Sequence, residues 1–229
     1  MAQYSQIVSE ASLADRSEFY KKTYLHVALA ILTFTAVETL MIKTIPADLI
    51  LSMVSGRFIW LFVIGAFWLC SMLANKLVFS PSRQTQYLGL GLYIIIEALI
   101  FLPMIFIASF YSGSDVIMQA AIVTLSLFAG LTALVFMTNY DFSFLRTAIT
   151  IGGFISLGMI VAGALFGFNL GLWFSVGMVV LASGSIIYQT SQIKDQFTTD
   201  MYVGASLQLF ASVMLLFWYI LRIFMSKRD

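Results

Sequence analysis

The sequence predicts an all-α integral membrane protein of seven transmembrane helices, on three observations. Of 229 residues, 61% are hydrophobic and 10% charged, and the mean hydropathy is +0.97, well outside the range of soluble globular domains. The apolar residues fall into seven runs, each near the ~20 residues a helix needs to cross a bilayer. The joins between runs are short and polar, which makes consecutive helices antiparallel neighbours and leaves no room for a separate extramembrane domain.

Residues 1–23 form a polar N-terminal tail ending in a mixed-charge run of Asp15, Arg16, Glu18, Lys21 and Lys22. The first apolar run starts too late for a cleavable signal peptide and no small-residue cleavage site follows it. The head is expected to stay attached, either as a short amphipathic helix on the membrane surface or as an untethered tail. One transmembrane domain, 24–225, follows, and 226–229 is a short C-terminal tail. The spans are expected at 24–45, 58–78, 87–110, 116–138, 142–166, 170–189 and 201–224. Turn-forming residues mark the joins: Pro46 and Asp48, then Pro81 with Ser82 and Arg83, then 112–115, 139–141, and Phe168 with Asn169.

Loop charge sets the orientation. With the N-terminus inside, the cytoplasmic side carries the seven residues Arg16, Lys21, Lys22, Lys76, Arg83, Arg146 and Lys194, and the other side the five residues Lys43, Arg57, Arg222, Lys227 and Arg228. This places the N-terminus in the cytoplasm and the C-terminus outside; a six-crossing arrangement with a re-entrant hairpin would bring the C-terminus inside. Gly152, Gly153, Gly158 and Gly163 in the fifth run, with Gly177 and Gly184 in the sixth, offer small surfaces for close helix approach.

Polar side chains inside the spans carry the functional signal, because an unpaired polar group is costly at membrane depth. Glu38 and Glu97 are the candidates for an ion pathway or sensor. Counted from the cytoplasmic starts of their runs, they lie ~21 Å and ~15 Å deep, a comparable level. Each is either a proton- or cation-responsive group or a structural carboxyl that carries a proton or a hydrogen bond. Pro103, six residues after Glu97, leaves the Leu99 carbonyl without an intrahelical partner. His26 reads as an interfacial residue, Arg222 as a snorkelling one, and the Trp and Tyr residues as belt or packing groups.

The stretch 183–224 contains two apolar helices around a polar turn. Ser185, Gln189 and Gln192 form a stripe on the first, and Gly204, Gln208, Ala211 and Ser212 share a face of the second. Such faces want protein or water, not lipid. Asn75 is placed to join this layer as a network member or to cap its helix.

Several classes are excluded. The chain has one Cys, Cys70, and one His, so no internal disulfide and no cysteine-based metal site is expected. No basic run suits nucleic acid. Walker, dinucleotide, HExxH and calcium-cage patterns are absent, and no nucleophile stands in register with a base. No catalytic residue, metal ligand or cofactor is expected, and the protein is read as a non-enzyme.

FYKKTYLHVALAILTFTAVE at the start, EALIFLP in the third run, IIYQTSQIK and the closing ASLQLFASVMLLFWYILRIF, in that order and spacing, resemble the Bax-inhibitor family, which includes bacterial YccA-like members. The resemblance covers nearly the whole chain. It implies six helices surrounding a central seventh and a bacterial inner-membrane location, and it brings the expectation of a pH-sensitive calcium leak gated by two aspartates. Those positions fall here on Gln189, directly after Tyr188, and near Phe210, with Gln208 the nearest polar side chain. Glutamines cannot share or release a proton near neutral pH, so the family's di-aspartyl switch is not available. Three readings remain. One is a cation pathway, for calcium or protons, lined by Glu97 and Glu38, with Gln189 and Gln208 hydrogen-bonded as a constriction. The second is a non-conducting partner, through an exposed N-terminal tail, of a membrane complex such as a membrane-anchored AAA protease. The third is a small-molecule transporter, against which stands the absence of any inverted repeat.

Overall fold

The computed structural model describes residues 6–55, 65, 69, 72–74, 76–113 and 115–226. Ser12 starts the first long helix, α1 (Leu13–Thr44): its hydroxyl accepts the Asp15 amide and donates to the Asp15 carboxylate at 2.6 Å, satisfying one of the amides that a helix start leaves unpaired. At 32 residues, α1 is ~48 Å long, more than the ~30 Å hydrocarbon core requires. Its first turns therefore hold the mixed-charge run outside the bilayer, where the sequence had suggested a separate tail. Pro46 stops α1 and precedes the short α2 (Ala47–Ser52), whose Ile50 is buried against Leu102 and Phe106.

Next come α3 (Arg83–Ile107), which passes through Pro103 and runs into one π turn, Ala108–Ser112, and α4 (Asp115–Met137). Helix α5 (Phe144–Phe166) ends where Gly167 adopts φ 77° and returns its N–H to the Gly163 carbonyl, a left-handed cap that glycine makes without a Cβ clash. Helices α6 (Gly171–Asp195) and α7 (Tyr202–Met225) complete the bundle. Among the described residues, six helices are long and apolar enough to span a membrane. The expected span at 58–78 lies mostly outside the described residues, as do Asn75, Arg57, Cys70, Trp60 and Trp68.

Helix α7 is the innermost. Fifteen of its residues are buried, and α1, α3, α4 and α6 pack around it. Helix α5 differs: none of its residues is buried, and it rests on α6. The outer faces are too apolar for water; Phe154 on α5 is 72% exposed and Trp173 on α6 84%. Lipid must cover them.

The two ends of the bundle are distinct. At one end, the Arg83 guanidinium at the start of α3 donates to the Asp200 carbonyl at 2.9 Å, and His26 Nε2 lies 2.9 Å from the Tyr87 hydroxyl. Lys194, near the end of α6, donates to the Thr138 carbonyl just past α4. Residues 6–12 join this end. Val8 N–H donates to the Phe197 carbonyl at 2.8 Å, Thr199 N–H to the Gln6 carbonyl at 3.0 Å, and the Ser9 hydroxyl to the Asp195 carbonyl. Val8 is fully buried among Phe19, Val27, Ile193, Ala205 and Leu209. Residues 6–12 are thus a clasp on the α6–α7 turn, because one valine finds an apolar socket and two backbone hydrogen bonds join the segments. The ends of α1 and α7, with α2 and the π turn, lie at the opposite end.

Close helix approach occurs at a glycine the sequence reading did not single out. A Cβ on Gly89 would stand 2.8 Å from the Val78 side chain and 2.9 Å from the Ala74 carbonyl, whereas one on Gly91 would meet nothing within 4 Å. Of the glycines expected to pack helices, Gly153, Gly158 and Gly177 face open space, and Gly152 meets the Leu181 side chain. Overpacking at Gly89 cannot be relieved by a flexible side chain alone. Gly89→Ala is expected to destabilise the bundle by about 1–3 kcal/mol and Gly91→Ala to leave it unchanged or slightly firmer, read as unfolding midpoints in the same detergent.

Candidate functional site

Gln208, Ala211, Leu215, Trp218 and Arg222 recur every three or four residues along α7 and are the part-exposed stripe of an otherwise buried helix. What they face is not lipid but a row of three cavities. The first, about 380 Å³, is bounded by Tyr93, Ser185, Tyr188, Gln189, Gln208 and Ala211. The second, about 620 Å³, shares Tyr93 and Ala211 with it and adds Glu97, Ser212, Tyr219 and Arg222. The third, about 850 Å³, shares Gly163, Phe168, Asn169, Trp218 and Arg222 with the second and reaches Ser226 at the far end of α7. The row therefore runs beside α7 from the amide layer to the end that carries the α5–α6 turn.

Glu97 reaches this row from α3. It is 6% exposed, and its Oε2 atom is buried with no hydrogen-bond partner. Arg222 stands in the same cavity, but no ion pair joins them. A buried carboxylate left unpaired is costly, so Glu97 is complete only with a proton, a water or a cation. The row thus carries one acidic group in its middle and one fixed positive charge toward its outer end.

Gln189 and Gln208 do meet, as two walls of the first cavity. They do not close on each other: Gln189 Oε1 is buried with no hydrogen-bond partner. The direct amide hydrogen bond expected from the sequence is not formed between them; both side chains border the void. Phe210 points elsewhere. It is fully buried and its ring lies 6.4 Å from Phe34 and 6.2 Å from Tyr93.

Glu38 is 4% exposed and neither of its oxygens has a hydrogen-bond partner. It is absent from the row and lines a separate cavity of about 440 Å³ among α1, α3, α4 and α7. Nor does it share a level with Glu97. Phe34, one turn before Glu38, packs edge-on against Phe101, one turn after Glu97, with centroids 5.3 Å apart. The carboxyls are thus offset by roughly two helical turns, ~10 Å along the bundle. Counting each run from its own start missed this, since α1 begins eleven residues earlier than its apolar run. Phe101 also stacks on Phe217 at 5.9 Å and meets Trp218 edge-on at 4.8 Å, so an aromatic wall separates the two acids.

His26 is fixed rather than free. Nδ1 is 2.7 Å from the Lys22 carbonyl, and the ring packs 5.1 Å from Tyr202, which also sits under Arg83 at 4.5 Å. Arg222, expected to snorkel away, is part-buried in the cavity row. Tyr93 and Asn169 complete that row; Tyr93 was not singled out from the sequence and Asn169 was read only as a turn residue, while the α7 stripe that faces them was visible only in part, as Gln208 and Ala211. Among the described residues no group of three His, Cys, Asp or Glu side chains gathers to hold a metal.

An innermost helix with a semi-polar stripe, ringed by apolar helices whose outer faces need lipid, defines a polytopic α-helical integral membrane protein with a row of cavities beside that helix. Its family follows from comparison. Residues 16–229 match the family described as inhibitor of apoptosis-promoting Bax1, and the chain belongs to that Bax-inhibitor family. It is 34% identical over 163 residues to the Pseudomonas aeruginosa protein PA2604, covering 70% of this chain and 69% of that one. It is also 25% identical over 219 residues to Protein LIFEGUARD 4 of Arabidopsis thaliana, covering 90% and 83%.

Phe101 touches three other aromatic rings and is 2% exposed. Phe101→Ala is expected to cost about 3–5 kcal/mol and Phe101→Leu markedly less, measured by unfolding in detergent.

Proposed function

We propose that this member of the family is a cation leak pathway whose charged lining group is Glu97, and that it lacks the family's di-aspartyl switch. One observation carries the reading: an unpartnered, buried carboxyl lies in a cavity that shares walls with a neighbour on each side. Cavities beside one helix that hold a buried polar group are where a cation crosses without facing lipid. Protons and calcium are the ions the reading takes first. Arg222 disfavours cation entry from the outer end by its charge, which makes the pathway a slow leak and not a fast channel.

The reading includes seven crossings. Ser52 lies at one end of the bundle and Arg83 at the other, which supports a span at 58–78. It also takes the clasp end, rich in Arg16, Lys21, Lys22, Arg83 and Lys194, as cytoplasmic, in a bacterial inner membrane, with the C-terminus outside. No enzymatic step is part of it. The interaction reading, a partner of a membrane-anchored AAA protease, drew on an exposed N-terminal tail; residues 6–12 are instead docked.

Purified protein in liposomes is expected to pass calcium or protons above empty vesicles. Glu97→Gln is expected to lower the flux about tenfold and Arg222→Gln to raise cation flux severalfold, by removing in turn the attracting and the repelling charge. Absence of flux at every pH from 5 to 8 would sink the leak reading and send the work to co-purification from native membranes. Separately, a reporter fused after residue 229 is expected to report the side opposite to one fused at the N-terminus.

A further inference from the structure

The Glu38 cavity lies on the other face of α7 from the row. At ~100° per residue, Val213 and Phe217, which line it, project away from Gln208, Leu215 and Arg222, with Met214 between the two faces. Its walls are otherwise Ile31, Phe34, Ile105 and similar apolar side chains. At about 440 Å³ it falls within the size range of small-molecule sites. Into this apolar space projects one carboxyl, 96% buried by its 4% exposure, with both oxygens unpartnered.

The hydroxyls in the wall sharpen the chemistry. Thr35 donates to the Ile31 carbonyl at 2.8 Å, Thr39 to the Thr35 carbonyl at 2.7 Å and Thr124 to the Ala120 carbonyl at 2.7 Å. Each proton is spent on the residue's own helix, so each oxygen turns only lone pairs to the cavity. Glu38 when ionised is likewise an acceptor. A ligand that fits must bring donors and an apolar body together. Ser109 adds a hydroxyl from the π turn, an irregularity that often marks a functional position in a helix. Lys43 stands at the rim, five residues past Glu38, and is exposed. A bare metal cation fits poorly, since hard cations take about six oxygens or more and here apolar walls dominate. An anion would meet the carboxylate. Thr35, Thr39 and Leu125, all exposed, bring the cavity to the lipid-facing surface between α1 and α4.

We propose that this cavity binds a lipophilic amine arriving from the bilayer, its ammonium on the Glu38 carboxylate and its apolar body against Phe34, Met214 and Phe217. The site is independent of the cation pathway, from which the Phe34–Phe101 contact separates it.

The test uses the full chain in phosphatidylcholine nanodiscs with radiolabelled n-decylamine, against empty discs, with n-decanol and decanoate as unlabelled competitors. Saturable binding is expected, with little competition by either. Glu38→Gln is expected to weaken it roughly tenfold or more, as loss of one partner of a buried charge pair does. Ala121→Phe, which fills the cavity, is expected to do the same, while Asp115→Asn, an acid at the start of α4, leaves it unchanged. Should Glu38→Gln fail to fold, Ala121→Phe and Ala121→Leu carry the test. Unchanged affinity in the cavity variants, equal competition by decanol, displacement by calcium or sodium, or no saturable binding would each overturn the proposal.

Discussion

Water is excluded from the hydrocarbon layer, so each polar atom placed there must be matched by protein or lie against a cavity. That constraint explains the arrangement around α7. The helix is buried on most of its surface, and the stripe left over does not meet lipid but a line of voids. Thr35, Thr39 and Thr124 answer the same constraint differently, turning their protons back onto carbonyls one turn earlier. Glu38, Glu97 and Gln189 have no such recourse. They mark the places where the fold itself leaves a polar requirement open, and each borders a cavity large enough to supply what is missing.

Much of this architecture was legible in the chain. Hydropathy located six spans that the structure describes, because a run of about 20 apolar residues has few alternatives. It placed the boundaries less well: α1 starts at Leu13, since a helix continues into water wherever a serine cap and good side-chain partners allow it. Periodicity found the face of α7 that carries Gln208 and Ala211. It could not find that Arg222 belongs to the same line, because a cation near a helix end reads as snorkelling until its neighbours are known. Nor could it register two helices against each other. The offset between Glu38 and Glu97 depends on the ring contact between Phe34 and Phe101, a fact of packing between residues 67 positions apart.

The polar groups of the membrane interior are separated by place. The first cavity holds two neutral side chains, Gln189 and Gln208, that border a void. The buried acids stand apart from them on α1 and α3, in two compartments divided by aromatic rings.

The clasp has a consequence for assembly. Ser9 and the Asp195 carbonyl it engages are separated by 186 positions, and contacts so distant in the chain form late. Residues 6–12 are made before α6 and α7 and have nothing to hold until that hairpin has inserted. Val8 then seats itself on a surface that exists only when α6 and α7 are both in place. A segment made before every span of the bundle is the last to find its position, and its docking signals that α6 and α7 are in place.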